Sequence, residues 1–151
     1  MARALIVGCG CRGRALGERL LAEGWEVRGT SRRAEGLAAI GAAGIEAAEA
    51  DPAQPGTVLD LVEDVGVVLW LLGSAKGDEE ALGAIHGSSL ERLLERLVET
   101  PVRSFVYEAG GTVVPGNLER GAAIVRAAGE RWRIRVAVPE QVGLSDMTRL
   151  G

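Results

Sequence analysis

The chain has 151 residues, 47% of them apolar and 25% charged, which fits a single domain whose core is covered by helices on both sides of a sheet. Its 17 basic and 21 acidic residues are spread along the chain and leave a net charge of -4, so no polybasic footprint argues for nucleic acid or an anionic membrane. Aromatic residues, at 3%, are too few to stack single-stranded bases, no stretch reaches the length of a membrane span, and the N-terminal apolar run, broken at Gly8, is too short for a signal-peptide core; the expectation is a soluble, cytoplasmic protein.

The first strand is expected near residues 3 to 7, ending in Gly8-Cys9-Gly10-Cys11-Arg12-Gly13. A helix from about 12 to 23 follows, with Leu16 and Leu20 on one face and Gly24 as its stop, and then a second strand near 26 to 30. Strand, glycine turn, helix and strand form the context in which Gly-x-Gly-x-x-Gly reads as a dinucleotide site. Gly8 suits the tight turn, Gly10 leaves room for a pyrophosphate to approach the backbone, and Gly13 lets the helix pack closely on the sheet. N–H groups at the helix start, near Cys11, would receive the phosphate charge, with Arg12 adding to it. The rival readings are a ligand-free glycine turn, in a chain with 22 glycines, and a methyltransferase loop, whose usual acidic residue before the first glycine is Val7 here. Cys9 and Cys11 are the only cysteines, which excludes a four-cysteine zinc site, and no metal is expected; they read as small turn fillers, with a redox-sensitive pair as the alternative.

The second strand ends Thr30-Ser31-Arg32-Arg33. An NAD site would place an Asp or Glu there for the ribose 2′-hydroxyl, whereas arginine accommodates a 2′-phosphate. Two hydroxyls and two guanidinium groups therefore favour NADP over NAD, against the alternative that the arginines simply begin a solvated helix.

Further along, a helix near 34 to 42 carrying Leu37 and Ile40 leads through Gly44 to a weak third strand, Ile45 to Ala48. Asp51-Pro52 follows; Asp51 either borders an adenine ring or is a turn residue that, with Gln54 and Pro55, starts the next helix. The fourth strand, Val65 to Leu72, is a nearly continuous apolar run, as a strand buried on both faces requires. Its carboxyl end places Leu72, Gly73 and Ser74 at the crevice where open parallel sheets bind ligands. Ala75 to Gly87 reads as a mobile loop over the site, and Ser88 with Glu91 as a capping box opening a helix striped by Leu90, Leu93, Leu94, Leu97 and Val98. A fifth strand, Arg103 to Tyr107, precedes the loop from Glu108 to Thr112. Asn117 is expected to cap a last helix that carries Leu118, Ala122 and Val125 and stops at Gly129. The sixth strand alternates Trp132, Ile134, Val136 and Val138 against Arg133 and Arg135, closing at Pro139. Strands and helices alternate throughout, which predicts an α/β fold: a doubly wound parallel sheet of order 3-2-1-4-5-6, in a single domain over 1–151 with no room for a separate substrate domain.

The first 33 residues, with Leu-Ile-Val-Gly-Cys-Gly, Gly13, the segment Leu20 to Thr30 and Ser31-Arg32, and later Ser104-Phe105-Val106-Tyr107, resemble the short-chain dehydrogenase/reductase superfamily, in particular its atypical or extended, NAD(P)-dependent epimerase-like branch. The resemblance implies a Rossmann fold, an NAD(P) cofactor and, in active members, a Ser with a Tyr-x-x-x-Lys pair. This chain departs from that set: Glu108-Ala109-Gly110 stands where the Ser is expected, and Tyr107 and Lys76, the only Tyr and Lys, lack the spacing. Tyr107 reads as core or crevice lining. Two other groups are candidates for acid or base work: His86, the sole histidine, otherwise a surface loop residue, and Glu108, otherwise a ribose contact or an ordinary loop carboxylate. Two functions stay open: an NADP-dependent oxidoreductase or epimerase-like enzyme acting on a small molecule, and a non-catalytic NADP-binding module that signals to a protein partner. Trp132 and the short tail either mark a homo-oligomer contact or belong to the chain's own core.

Overall fold

The computed structural model describes residues 3–150. Six strands form one sheet: β1 (Arg3–Val7), β2 (Glu26–Ser31), β3 (Glu46–Glu49), β4 (Val65–Trp70), β5 (Ser104–Tyr107) and β6 (Arg135–Ala137). They lie in the order β3-β2-β1-β4-β5-β6, and every neighbouring pair is parallel. Helices separate the strands: α1 (Cys11–Ala22), α2 (Ala34–Ala42), α3 (Pro55–Leu59), α4 (Glu79–Ile85), α5 (Ser88–Leu97) and α6 (Pro115–Trp132), with α7 (Leu144–Leu150) after β6.

The period-2 geometry of a strand divides the core into two layers. Leu5, Val7, Val68, Trp70, Phe105 and Tyr107 point to one face and pack on Leu90, Leu93, Leu94 and Leu97 of α5 and Ala122 and Val125 of α6. Ala4, Ile6, Val67, Leu69 and Val106 point to the other, against Leu16 and Leu20 of α1, Ile40 of α2 and Met147 of α7. Residues 4 to 7 of β1 and 68 to 70 of β4 are wholly buried, which explains their unbroken apolar run. At the amino end of the sheet, Arg28 grips Glu46 at 2.5 Å and Asp64 at 2.8 Å, and Arg3 reaches the same two carboxylates, tying β1, β2 and β3 to the turn before β4.

The structure departs from the sequence reading after β4. Half of the expected mobile loop is α4, capped by Asp78, whose carboxylate accepts the Ala81 N–H at 2.7 Å, with Glu79 and Glu80 beside the positive helix end. The capping box at Ser88 and Glu91 does not form. Only His86 and Gly87 join α4 to α5, so Gly87 is the N-cap and its carbonyl takes the Glu91 N–H, while Ser89 turns its hydroxyl to the Ala53 carbonyl. Val98 lies past the end of α5 and is 53% exposed, so it leaves the apolar stripe.

Asn117 is likewise no cap. Helix α6 starts at Pro115, whose fixed φ and missing N–H suit a first helical position. It runs through Gly129, which has no side chain because Val136 Cγ2 would lie 2.8 Å from a Cβ there, and ends at Arg133 in the left-handed region, φ 56°. Trp132 is therefore the last helical residue, and the sixth strand shrinks to three residues. Strand β3 is shifted by one residue from the expected span, and α7 was not foreseen because a short polar segment carries little periodicity.

A close approach missed by sequence reading sits at Gly121 of α6, which faces the buried Tyr107 ring: a Cβ there would overlap the Tyr107 hydroxyl and lie 2.9 Å from Cε1. Alanine would recover about 1 kcal/mol of helix propensity. Overpacking a rigid buried ring costs ~1–3 kcal/mol, so the net effect of Gly121→Ala is expected to be destabilising. Urea denaturation checks this: a lowered midpoint is expected, restored in part by adding Tyr107→Phe, whereas an unchanged or raised midpoint would show that the ring yields.

Candidate functional site

At the carboxyl end of the sheet, strand order reverses between β1 and β4, and a cavity of ≈ 520 Å³ opens there. The glycine turn forms its floor. Gly8 has φ +86°, and a Cβ on it would lie 2.5 Å from the Leu71 carbonyl, so both conformation and space demand glycine. A Cβ at Gly10 would meet nothing within 4 Å; this position opens on the cavity. Gly13 lies in the first turn of α1, on the face against the sheet, where a Cβ would stand 3.2 Å from Gly8 O and 3.3 Å from Ile6 Cγ2. Helix α1 starts with no side-chain cap and no acidic residue in its first turn, so its positive end keeps N–H groups for a ligand. The glycine at 17, not singled out from sequence, continues the close packing, with Ile45 Cδ1 2.5 Å from a Cβ there.

The carboxyl end of β2 makes the next wall. Thr30 is buried, and its carbonyl accepts the Cys9 N–H at 3.2 Å. Ser31 accepts the Arg33 N–H at 3.2 Å and packs against Gly36. Arg32 and Arg33 are exposed on the cavity rim and pair with no carboxylate among the described residues. Asp51 is a turn residue, its Oδ1 accepting the Ala53 N–H at 2.9 Å, and it also lines the cavity with Pro52 and Ala53.

All the sequence candidates for ligand contact border the cavity except Gly73 and Glu108. Gly8, Gly10, Cys11, Arg12, Gly13, Thr30, Ser31, Arg32, Arg33, Asp51, Leu72 and Ser74 line it. Gly73 sits behind, its N–H donated to Glu108 Oε1 at 3.1 Å and its Cβ position filled by Gly110. Lys76, Ala81, Leu82 and Ile85 also line the cavity: the segment expected over the site as a mobile loop does border it, but the last three of these residues stand on α4. Cys9 is buried against Gly29, and burial pushes its thiol up to about 11, with Arg14 pulling weakly the other way. Such a thiol is packing material, while Cys11 is exposed, so the two do not make an activated redox pair.

Neither acid-base candidate faces the cavity. Glu108 is 2% exposed and held in a two-pronged ion pair with Arg12, Nη1 to Oε2 at 2.8 Å and Nη2 to Oε1 at 2.9 Å. A buried carboxylate needs such a cation, and here it also accepts the Gly73 N–H. His86 is not a surface loop residue; it is fully buried as the C-cap of α4. Its Nε2 lies 3.0 Å from the Leu72 carbonyl and its Nδ1 2.6 Å from the Tyr107 hydroxyl. A carbonyl only accepts, which assigns the proton to Nε2 and makes Nδ1 the acceptor of the Tyr107 O–H. Burial lowers the His86 pKa and raises that of Tyr107, so both are neutral in this chain of hydrogen bonds. The pair pins the end of β4 to β5 from beneath.

The family model described as NAD(P)H-binding matches residues 8–130. The chain belongs to the NAD(P)H-binding family. Similar solved structures include UDP-glucuronic acid 4-epimerase from Bacillus cereus in complex with NAD, with a TM-score of 0.69 and 14% identity over 90% of this chain and 54% of that one. Triphenylmethane reductase of Citrobacter sp. gives a TM-score of 0.66 and 15% identity over 91% of this chain and 48% of that one. A variant of actinorhodin polyketide ketoreductase with NADPH gives 0.70 and 19% over 91% and 67%. These likenesses show a Rossmann fold, and the chain spans about half the length of the epimerase and the triphenylmethane reductase. No curated protein matched the sequence. Among the described residues, no helix is long and apolar enough to cross a membrane.

The depressed His86 pKa makes stability pH-dependent. The unfolded imidazole, near 6.5, takes a proton before the buried one does, so the stabilisation is complete above 6.5 and is lost as pH falls through the lower folded value. Arg120 and Tyr107, the charged and titratable neighbours, do not change state in that window. Denaturation midpoints are expected to fall between about pH 7.5 and pH 5, and to fall less in His86→Asn; equal slopes in the two proteins would contradict this.

Proposed function

We propose that the chain binds NADP(H) as a nucleotide-binding module, with the 2′-phosphate on Arg32 and Arg33. The observation that carries this reading is the carboxyl end of β2: Thr30, Ser31, Arg32 and Arg33 line the same cavity as the glycine turn, and no carboxylate stands there to take a ribose 2′-hydroxyl. Gly8, Gly10 and Gly13 with the start of α1 would receive the pyrophosphate. Asp51, Pro52, Ala53, Leu72 and Ser74 would border the adenosine. Hydride chemistry from the nicotinamide belongs to the second, enzyme reading alone.

Support for a module rather than an enzyme comes from the two acid-base candidates, both committed to buried partners: Glu108 to Arg12 and Gly73, His86 to Leu72 and Tyr107. In this reading the chain acts as one domain that passes nucleotide occupancy to a protein partner. The second reading, an NADP-dependent oxidoreductase or epimerase-like enzyme, draws on structural neighbours that include a reductase and a ketoreductase.

Calorimetry with NADPH and NADH tests the cofactor preference. Charge-assisted hydrogen bonds to a phosphate are worth about 1.5–3 kcal/mol, so NADPH is expected to bind ~10–100-fold more tightly than NADH. Arg32→Ala with Arg33→Ala should remove that difference and leave NADH affinity nearly unchanged. Equal affinities in the unmodified protein would sink the reading. Steady NADPH oxidation with any of a panel of carbonyl substrates would favour the enzyme over the module.

A further inference from the structure

The two halves of the sheet's carboxyl edge are built differently. Over β1, β2, β3 and the end of β4 lies the cavity of ≈ 520 Å³. Over β5 and β6 the loops close on one another. The Ala109 N–H donates to the Pro139 carbonyl at 2.8 Å, the Gly110 N–H to Glu140 at 3.0 Å, and the Val113 N–H to Gly73 at 2.9 Å. The Thr112 N–H reaches Ser74 Oγ at 3.2 Å. A Cβ at Gly73 would run into the Gly110 carbonyl and one at Gly110 into the Glu140 carbonyl, so neither position tolerates a side chain. Across the boundary between the halves stands Arg12, which leaves the glycine turn and forks onto Glu108 at the end of β5. No residue from 108 to 113 or from 138 to 143 lines the cavity.

A dinucleotide in a doubly wound sheet lies across the reversal point, one nucleotide over each half. Here the first half offers a rim of free arginines, a glycine turn and a helix start, while the second offers a salt bridge and backbone already paired with backbone. Admitting a nucleoside there would require Arg12 to abandon a carboxylate that is 2% exposed, leaving a buried charge without its cation.

We propose that recognition stops at the pyrophosphate: the ligand class of this site is the 2′-phosphoadenosine diphosphate unit, and the nicotinamide nucleoside projects past the Arg12–Glu108 bridge without being gripped. This rests on the NADP reading of Thr30 to Arg33 and narrows it. Oxidised and reduced cofactor differ only in the nicotinamide ring, so the site reads how much NADP is present and is indifferent to its redox state.

Calorimetry on the whole chain with NADP⁺, NADPH and 2′-phospho-ADP-ribose tests this, with ADP-ribose as the control for the 2′-phosphate. The three phosphorylated ligands are expected to agree within about fivefold, and ADP-ribose to bind at least about tenfold more weakly. A larger preference for either dinucleotide over 2′-phospho-ADP-ribose overturns the inference and leaves the NADP reading standing. Equal binding of ADP-ribose and its 2′-phosphate overturns the NADP reading, and the inference falls with it. Arg12→Ala removes the barrier at an exposed side chain; the ratio of NADPH to 2′-phospho-ADP-ribose affinity is expected to rise severalfold, and an unchanged ratio overturns the role given to the bridge.

Discussion

The turn after β1 must leave the sheet against the end of β4, and nearly everything at the site depends on how close that passage is. The Leu71 N–H donates to the Val7 carbonyl at 2.9 Å, and the Leu71 carbonyl stands 2.5 Å from where a Gly8 Cβ would be. Only glycine, in the positive-φ region, passes that point. The turn then sets α1 down on β1 at Gly13 and Gly17, with its uncapped amino end over the gap left by the reversal of strand order. Cavity floor, helix dipole and the root of Arg12 are all fixed by this one crossing.

Much of this was legible because it is local. The apolar runs of β1 and β4, the glycine spacing and the Thr-Ser-Arg-Arg end of β2 all lie within short windows, where period and turn chemistry speak directly. What escaped was set by contacts between distant residues or by very short elements. Arg12 and Glu108 are 96 positions apart, and nothing in either neighbourhood announces the other. Helix α4 has seven residues in a glycine-rich stretch, too few for a stripe. The apparent capping box failed because a two-residue junction leaves Ser88 no freedom to act as a cap, and Gly129 failed as a stop because α6 needs its missing side chain to cross β6.

The same logic explains why the acid-base candidates changed character. Titratable side chains near the carboxyl ends of parallel strands attract a catalytic reading, since ligands bind there. In this chain the sole histidine and sole tyrosine instead satisfy one another, and Glu108 closes an ion pair while holding Gly73. Low dielectric strengthens such contacts and makes any unpaired member costly, so these groups stiffen the ground under the cavity. They form a buried polar layer between the end of β4 and the end of β5, beneath the surface a ligand would meet.

The margins of the sheet also bear on how copies of this molecule behave at high concentration. Strand β3 has four residues with a glutamate at each end, and β6 has three, begins at an arginine and is followed closely by Pro139. An incoming strand would find few free backbone groups in line, like charges facing it in an antiparallel copy of β3, and a proline near β6 that donates no N–H. Lateral growth of the sheet into a ribbon of stacked molecules is therefore disfavoured at both edges.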